Sequence, residues 1–399
     1  MTTLRISGGD LLTPFERITD GVLFARDGVI EYAGPRSGAP AQRADVEVDA
    51  TGRIVFPGFI DLQVNGGGGA LLSADLTREA VERMTAAHVR FGTTAMLPTA
   101  VTGPEDNMSR ALAAVAAASE TPVAGARVLG AHLEGPFINP LRKGAHNERY
   151  IVAPDVAMFE RLVQAANGSL RIITLAPELP GALELIAAAR AANVAVSIGH
   201  TNATYEEANA GIEAGATFAT HLFNAMRPLH QREPGVIAAL LESEHVVTGL
   251  IPDGVHVHPA LLGLAARARG PGRAAIVTDA MSPVGTDETS FRLYGEDVVV
   301  RDGSCYTKDG VLAGSALSMD RAVRFMCDEA GVPLLDAMRM ATATPASVLG
   351  LDDLGVLKPG ARADVIVCDD EIIIERVFVG GVEAWPSHPA PLPHAGEGS

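Results

Sequence analysis

The sequence predicts an α/β protein: a central (β/α)8 barrel of the TIM type, with a small β-sandwich domain built from both chain ends. Three observations predict this. Short apolar runs bounded by turn residues alternate with helical stretches through the middle of the chain, as strands buried on both faces and their crossover helices do. Four of these runs stop at a residue able to carry chemistry: Glu134, His200, His221 and Asp279. Barrels of this kind collect their functional groups at the C-terminal ends of their strands. Finally, 399 residues accommodate such a barrel and a companion domain.

Taken in order, residues 1–52 read as short strands with glycine-rich turns: LRISGGDLL, GVLFARDGVIEYAG and ADVEVDATG. Asp27-Gly28 between two apolar pairs is a hairpin signal. Residues 354–385 return to the same character in GVLKPGARADVIVCDD and IIIERVFVGGVEA, and complete the small β domain. The barrel is assigned to 53–353, with strands over Ile54–Leu62, Thr93–Pro98, Arg127–Leu133, Leu170–Leu175, Val194–Ile198, Thr217–Thr220, Val246–Ile251 and Ala274–Thr278. Between them Pro104 and Pro154 stand at first-turn positions of helices, and Gly168 closes the second. Thr204 through Glu207 forms a capping box, with Gly215 ending that helix. Thr286–Val311 interrupts the alternation with hairpin strands, and helices from Leu317 to Leu349 complete the outer layer. The tail 386–399, rich in Pro, Gly and His, is expected to be disordered.

Composition narrows the function classes. With 47% hydrophobic and 20% charged residues, the chain has ample core for a soluble globular protein. A net charge of −17 argues against nucleic acid or an anionic membrane as the partner, so any anionic ligand needs a local set of donors. Cys305, Cys327 and Cys368 are dispersed and odd in number, as in reduced thiols. No signal-like apolar segment opens the sequence and no membrane-length apolar run occurs, so a cytoplasmic location is expected.

Glu134, His200 and His221 together offer a carboxylate oxygen and two imidazole nitrogens. That mixed set suits Zn2+, with Fe2+ or Co2+ as alternatives, and leaves a position open for water. Such an ion acidifies water and polarises a carbonyl. Asp279 is placed to take the proton of that water and return it to a leaving group. Taken singly, each histidine is more simply a satisfied structural residue; four such groups at one rim are not.

At nine places the chain then resembles the N-acetylglucosamine-6-phosphate deacetylase family of the amidohydrolase superfamily. The matching stretches are PGFIDLQVNGGGG (57–69), HLEGPF (132–137), KGAHN (143–147), GHTNAT (199–204), THLFNAM (220–226), REPG (232–235), DGVHV (253–257), VTDAM (277–281) and LAGSAL (312–317). They span nearly the whole barrel in the family's order, and the terminal strands match its small β domain.

The resemblance implies metal-dependent hydrolysis of the acetamide of a phosphorylated amino sugar, in amino-sugar breakdown. It makes Glu134, His200 and His221 ligands of one divalent metal and Asp279 the acid/base. It sets His146 beside the acetyl carbonyl, with Ala145 next to it, and gives His256, Arg232, Asn224 and Ala225 to the sugar phosphate. It also implies a homodimer in which Arg232 reaches the neighbouring subunit's site. Leu312, Ala313 and Gly314 would line the acetyl side, although Gly314 also reads as a helix-entry glycine. One departure stands out. Two-metal amidohydrolases carry His-x-His after the first strand, where this chain has Gln63-Val64-Asn65, a pair suited to holding a water or a weak second ion. Two other readings remain: a related amidohydrolase acting on a cyclic amide or nucleobase, and a metal-free scaffold.

Overall fold

The computed structural model describes residues 2–120, 124–293 and 296–385. Eight parallel strands make the barrel: β1 (Phe59–Val64), β2 (Thr93–Val101), β3 (Ala131–Glu134), β4 (Leu170–Leu175), β5 (Ala195–Ile198), β6 (Phe218–Ala219), β7 (Val247–Leu250) and β8 (Ala274–Ile276). Each pairs with the next in parallel register. The ring closes where Val64 bridges Ala280, with the Asn65 N–H donating to the Ala280 carbonyl at 2.8 Å. Closure brings the two chemically marked ends, after β1 and after β8, side by side.

Two expected strands are corrected. Ile54–Leu62 is two strands, not one. Ile54–Pro57 pairs with Asp10–Leu12 and Val365–Cys368, outside the barrel, and β1 begins only at Phe59. The hinge is Gly58, where a Cβ would lie 1.9 Å from the Thr94 hydroxyl, so only glycine lets the chain cross here. Arg127–Leu133 is likewise broken, into Arg127–Val128 and β3, at Gly130 with φ +134. Pro154 is also not a first-turn residue. The helix is Val156–Ala165, capped by the Asp155 side chain accepting from the Met158 N–H at 3.0 Å, with Gly168 in the turn beyond its end.

Other local signals hold. Asp27 and Gly28 adopt φ +47 and +81 between paired strands Gly21–Arg26 and Val29–Pro35, a turn matched to strand twist. Thr204 and Glu207 make both bonds of the capping box on helix Tyr205–Ala214, and Gly215 ends it at φ +120. The interruption after β8 is a four-stranded antiparallel sheet, Ser290–Leu293, Glu296–Arg301, Ser304–Thr307 and Leu312–Ser315. Helices Met319–Asp328, Leu334–Ala341 and Ala343–Val348 follow.

The chain ends supply two further sheets. One contains Thr3–Ser7, Gly21–Arg26, Val29–Pro35 and Val46–Asp49; the other joins Asp10–Leu12, Arg17–Ile18 and Ile54–Pro57 to Val365–Cys368, Ile374–Val379 and Val382–Trp385. They enclose their own apolar cluster around Leu4, Ile6, Leu23, Ile30, Val365 and Phe378, separate from the barrel core. The tail 386–399 lies outside the described residues. Among the described residues, no helix is long and apolar enough to cross a membrane.

Beneath the barrel mouth the interior is polar and paired. His132 Nδ1 meets the Leu62 carbonyl at 3.1 Å, its Nε2 meets the Thr174 hydroxyl at 2.7 Å, and Thr174 meets Thr220 at 2.7 Å. Burial pushes His132 down to about 4, so this floor is neutral at physiological pH.

Candidate active site

The ends of β3, β5, β6 and β8 open on one cavity of about 280 Å³. Glu134 is the last residue of β3, while His200, His221 and Asp279 lie just past β5, β6 and β8. These last three share a feature invisible in sequence: φ is +48, +32 and +52. The left-handed region is costly for residues with a Cβ, and surrounding bonds must hold it. The His200 carbonyl accepts from the Asn139 N–H at 2.9 Å, that of His221 from the Asn224 N–H at 2.9 Å, and that of Asp279 from the Ser315 N–H at 3.0 Å. Each strand thus ends in a pinned turn, with its side chain in the cavity wall.

Three of the four groups meet. Glu134 Oε1 lies 3.2 Å from His200 Nε2 and 3.0 Å from His221 Nε2, and the two imidazole nitrogens are 3.1 Å apart. His200 Nδ1 faces the Arg142 carbonyl at 2.9 Å, which only an N–H can satisfy, so its Nε2 offers a lone pair to the cluster. Burial opposes the charge of Glu134, but the His200 and His221 rings beside it outweigh burial and hold the carboxyl well below its usual range. Three buried donor atoms within 4.8 Å, pointing lone pairs at one another, are the arrangement that a divalent cation resolves. The residues present fit such an ion.

Asp279 stands beside this set, and the amides after β1 connect the two. Gln63 Nε2 donates to both Glu134 Oε1 and Asp279 Oδ1, at 3.1 Å each, while Asn65 Nδ2 donates to Asp279 Oδ1 at 2.6 Å. The amide nitrogens of Gln63 and Asn65 thus face the carboxylates, and their carbonyl oxygens are buried without a partner among the described residues. Burial, then the Glu134 charge, pushes Asp279 up to about 6. His146 packs edge-on against His200 with ring centres 4.4 Å apart, and burial drives it down to about 3, so it is a neutral imidazole.

Ala145, His146, Asn224, Ala225, His256, Leu312, Ala313 and Gly314 all line the same cavity. Gly314 is a strand residue, not a helix entry. At φ +108, its Cβ would lie 2.9 Å from the Asp279 carbonyl oxygen. The glycine run 66–69 forms a tight turn, Gly66–Gly67 pairing back on Ala70–Leu71 beside Asn65. Arg232 is the exception. It is exposed on the loop before helix Gly235–Glu242 and takes no part in the wall of this chain's own cavity.

Sequence reasoning missed the apolar wall of Leu71, Val101, Met281, Leu293 and Val311, since nothing in an apolar run says which cavity it faces. It also gave no role to Asp253. That carboxylate takes His256 Nδ1 at 2.6 Å, and His256 Nε2 lies 4.0 Å from Asp279 Oδ2. The DGVH motif was the available signal.

Fold and site together define a class: a barrel hydrolase with a buried carboxylate–imidazole donor set for a divalent cation and a carboxylate beside it. The chain belongs to the amidohydrolase family, whose model matches residues 54–387. It is 36% identical to the N-acetylgalactosamine-6-phosphate deacetylase of Escherichia coli O157:H7, over 93% of this chain and 96% of that protein. It is 34% identical to the N-acetylglucosamine-6-phosphate deacetylase of Bacillus subtilis, over 91% and 93%. A solved mutant of the N-acetyl-D-glucosamine-6-phosphate deacetylase of Mycobacterium smegmatis, in complex with N-acetyl-D-glucosamine-6-phosphate, superposes with a TM-score of 0.90 at 35% identity, covering 96% of this chain and 100% of that one.

Proposed function

We propose that this protein hydrolyses the acetamide of N-acetyl-D-glucosamine 6-phosphate, giving D-glucosamine 6-phosphate and acetate. The observation that carries the reading is the buried Glu134–His200–His221 cluster beside Asp279 in one cavity, in a chain whose relatives bear the deacetylase name. Glu134, His200 and His221 would hold one divalent ion, with Zn2+ favoured by a donor set of two imidazoles and one carboxylate. When bound, such an ion supplies Lewis acidity to the carbonyl and acidifies water. Asp279 accepts the proton of the attacking water and delivers it to the departing amine. Neutral His146 donates an N–H to the carbonyl oxygen as negative charge builds there. Gln63 bridges the two carboxylates and Asn65 donates to Asp279, and these bonds orient them.

The phosphate is assigned to His256, to the Asn224–Ala225 backbone, and to Arg232 reaching from a second copy in a homodimer. The exposure of Arg232 away from its own cavity supports that placement, and a guanidinium fork suits phosphate. With a net charge of −17, capture of an anion has to be local. A cytoplasmic location accords with a phosphorylated sugar as substrate.

The galactosamine name of the first relative favours a second reading, in which the 4-epimer is the better substrate. The test is kcat/KM for acetate release from N-acetylglucosamine 6-phosphate, N-acetylgalactosamine 6-phosphate and unphosphorylated N-acetylglucosamine, on one zinc-loaded preparation. A gluco preference, with the unphosphorylated sugar at least several hundred-fold poorer, supports the proposal. A galacto preference transfers it to the epimer. Equal rates with and without phosphate remove the Arg232 and His256 assignment, and no acetate from any of them returns the site to the cyclic-amide and scaffold readings.

A further inference from the structure

Asp253 and His256 stand on the loop after β7, their side chains each 5% exposed. The two oxygens of Asp253 divide the work. Oδ1 accepts the backbone N–H groups of Val255 and His256 at 2.9 and 2.7 Å, which fixes the turn. Oδ2 takes His256 Nδ1 at 2.6 Å and the Ser304 hydroxyl at 2.9 Å. Ser304 is fully buried and belongs to the four-stranded sheet after β8, whose Leu293 and Leu312 form part of the cavity wall. Because a carboxylate only accepts, Nδ1 must carry a proton and Nε2 is the atom turned to Asp279, 4.0 Å away. Burial opposes the charge on Asp253, yet the bond from His256 and its neighbouring N–H groups hold it below the usual carboxylate range.

We infer that Asp253 and Ser304 are positioning residues for the hydrolysis: Ser304 fixes the Asp253 carboxylate, and Asp253 fixes the tautomer and direction of His256 against Asp279 and the substrate. The inference rests on the proposed deacetylase reading for its kinetic test, though not for its spectroscopic one. It gives the small sheet a job beyond walling the pocket. Its strand from Ser304 is tied by one hydroxyl to Asp253, and through it to the imidazole beside Asp279, so seating of that sheet and readiness of the site are coupled. Neither residue lines the cavity. Both act through His256.

The experiment uses the full-length zinc-loaded enzyme. In D253N the Oδ1 atom still holds the turn, while an amide NH2 replaces Oδ2 and faces Nδ1, which drives the neutral ring to the Nε2–H tautomer. Side-chain 15N spectra, with the His256 signal assigned by its loss in H256N, report the tautomer without substrate. Protonated Nδ1 in the wild type and a switch in D253N are expected. The kinetic arm predicts that D253N lowers kcat/KM about 10–100-fold with zinc content unchanged, in the range for residues that orient groups at a metal site. S304A loses less, S304T keeps the hydroxyl and recovers wild-type rates, and D253N/S304A is no slower than D253N because both act along one path. An Nε2–H tautomer in the wild type, or losses in the double variant that multiply, overturns the inference. If D253N does not fold, S304A against S304T decides: equal loss in both overturns it. Absence of turnover in wild type counts against the deacetylase reading alone, and the 15N arm then judges the positioning pair.

Discussion

Asp279 works within a close set of donors and acceptors. Its Oδ1 accepts from Gln63 and Asn65, and its Oδ2 faces His256. An asparagine there can still accept from both amides, so on the proposed reading D279N should retain affinity for the divalent ion and the substrate while kcat falls about 10²–10⁴-fold, the usual worth of a general acid/base. Elemental analysis, a binding isotherm and turnover together check this; near wild-type kcat would remove Asp279 from the chemistry. A second residue governs stability. His88 is fully buried under the glycine turn, its Nε2 bonded to the Gly66 carbonyl at 2.8 Å, and burial pushes it down to about 4. Unfolded, it would protonate near 6.5. Between those values the unfolded chain binds the extra proton, so stability falls as pH drops through that window, by up to about 3 kcal/mol at pH 4. H88Q can keep the donor and cannot titrate. Its melting temperature should therefore fall less between pH 7 and pH 4 than that of the wild type, and parallel curves would reject the assignment.

Among the elements, the last strand of the small sheet sets the tightest constraint. Leu312–Ser315 runs against the end of β8, where Ala280 bridges Ser315 and the Ser315 N–H holds the Asp279 carbonyl. Gly314 sits in that contact at φ +108, where a methyl group would meet Met281 Cγ at 2.7 Å and the Asp279 oxygen at 2.9 Å. G314A therefore combines backbone strain with a clash against the turn that carries Asp279. It should cost about 1–3 kcal/mol of stability from the strain alone, and lower kcat by more than a surface glycine substitution such as G360A does. Thermal melts and turnover on the pair test this. Sequence analysis located these elements but not their junctions. LAGSAL was visible as a motif, whereas its contact with VTDAM, some thirty residues earlier, depends on how the intervening hairpins fold back.

For the whole molecule the question is what a single chain leaves incomplete. The cavity has its donor cluster, the Asp279 carboxylate and its apolar wall, but Arg232 stands outside it. If a second copy supplies that guanidinium, R232A and D279N homodimers, each defective, should regain activity after subunit exchange. A mixed dimer holds one site with Asp279 from one chain and Arg232 from the other. Recovery toward about a quarter of the wild-type rate would be expected from about half the dimers being mixed, each with one intact site of two. A mixture no better than the sum of its parts would return Arg232 to its own subunit or to the surface.

The sequence by itself determined the alternating architecture, the hairpin at Asp27-Gly28, the capping box at Thr204 and the residues that end β3, β5, β6 and β8. All of these are written in local periodicity and turn chemistry, which act over a few residues. Only the tertiary structure decided that Ile54–Pro57 leaves the barrel for the terminal sheet and that Gln63 and Asn65 turn amide nitrogens to the carboxylates. It alone decided that Asp253 joins His256 to Ser304. The reason is physical: strand pairing and hydrogen-bond partners are chosen among groups far apart in the chain, by closure of the barrel and by the cost of leaving a buried polar atom unpaired.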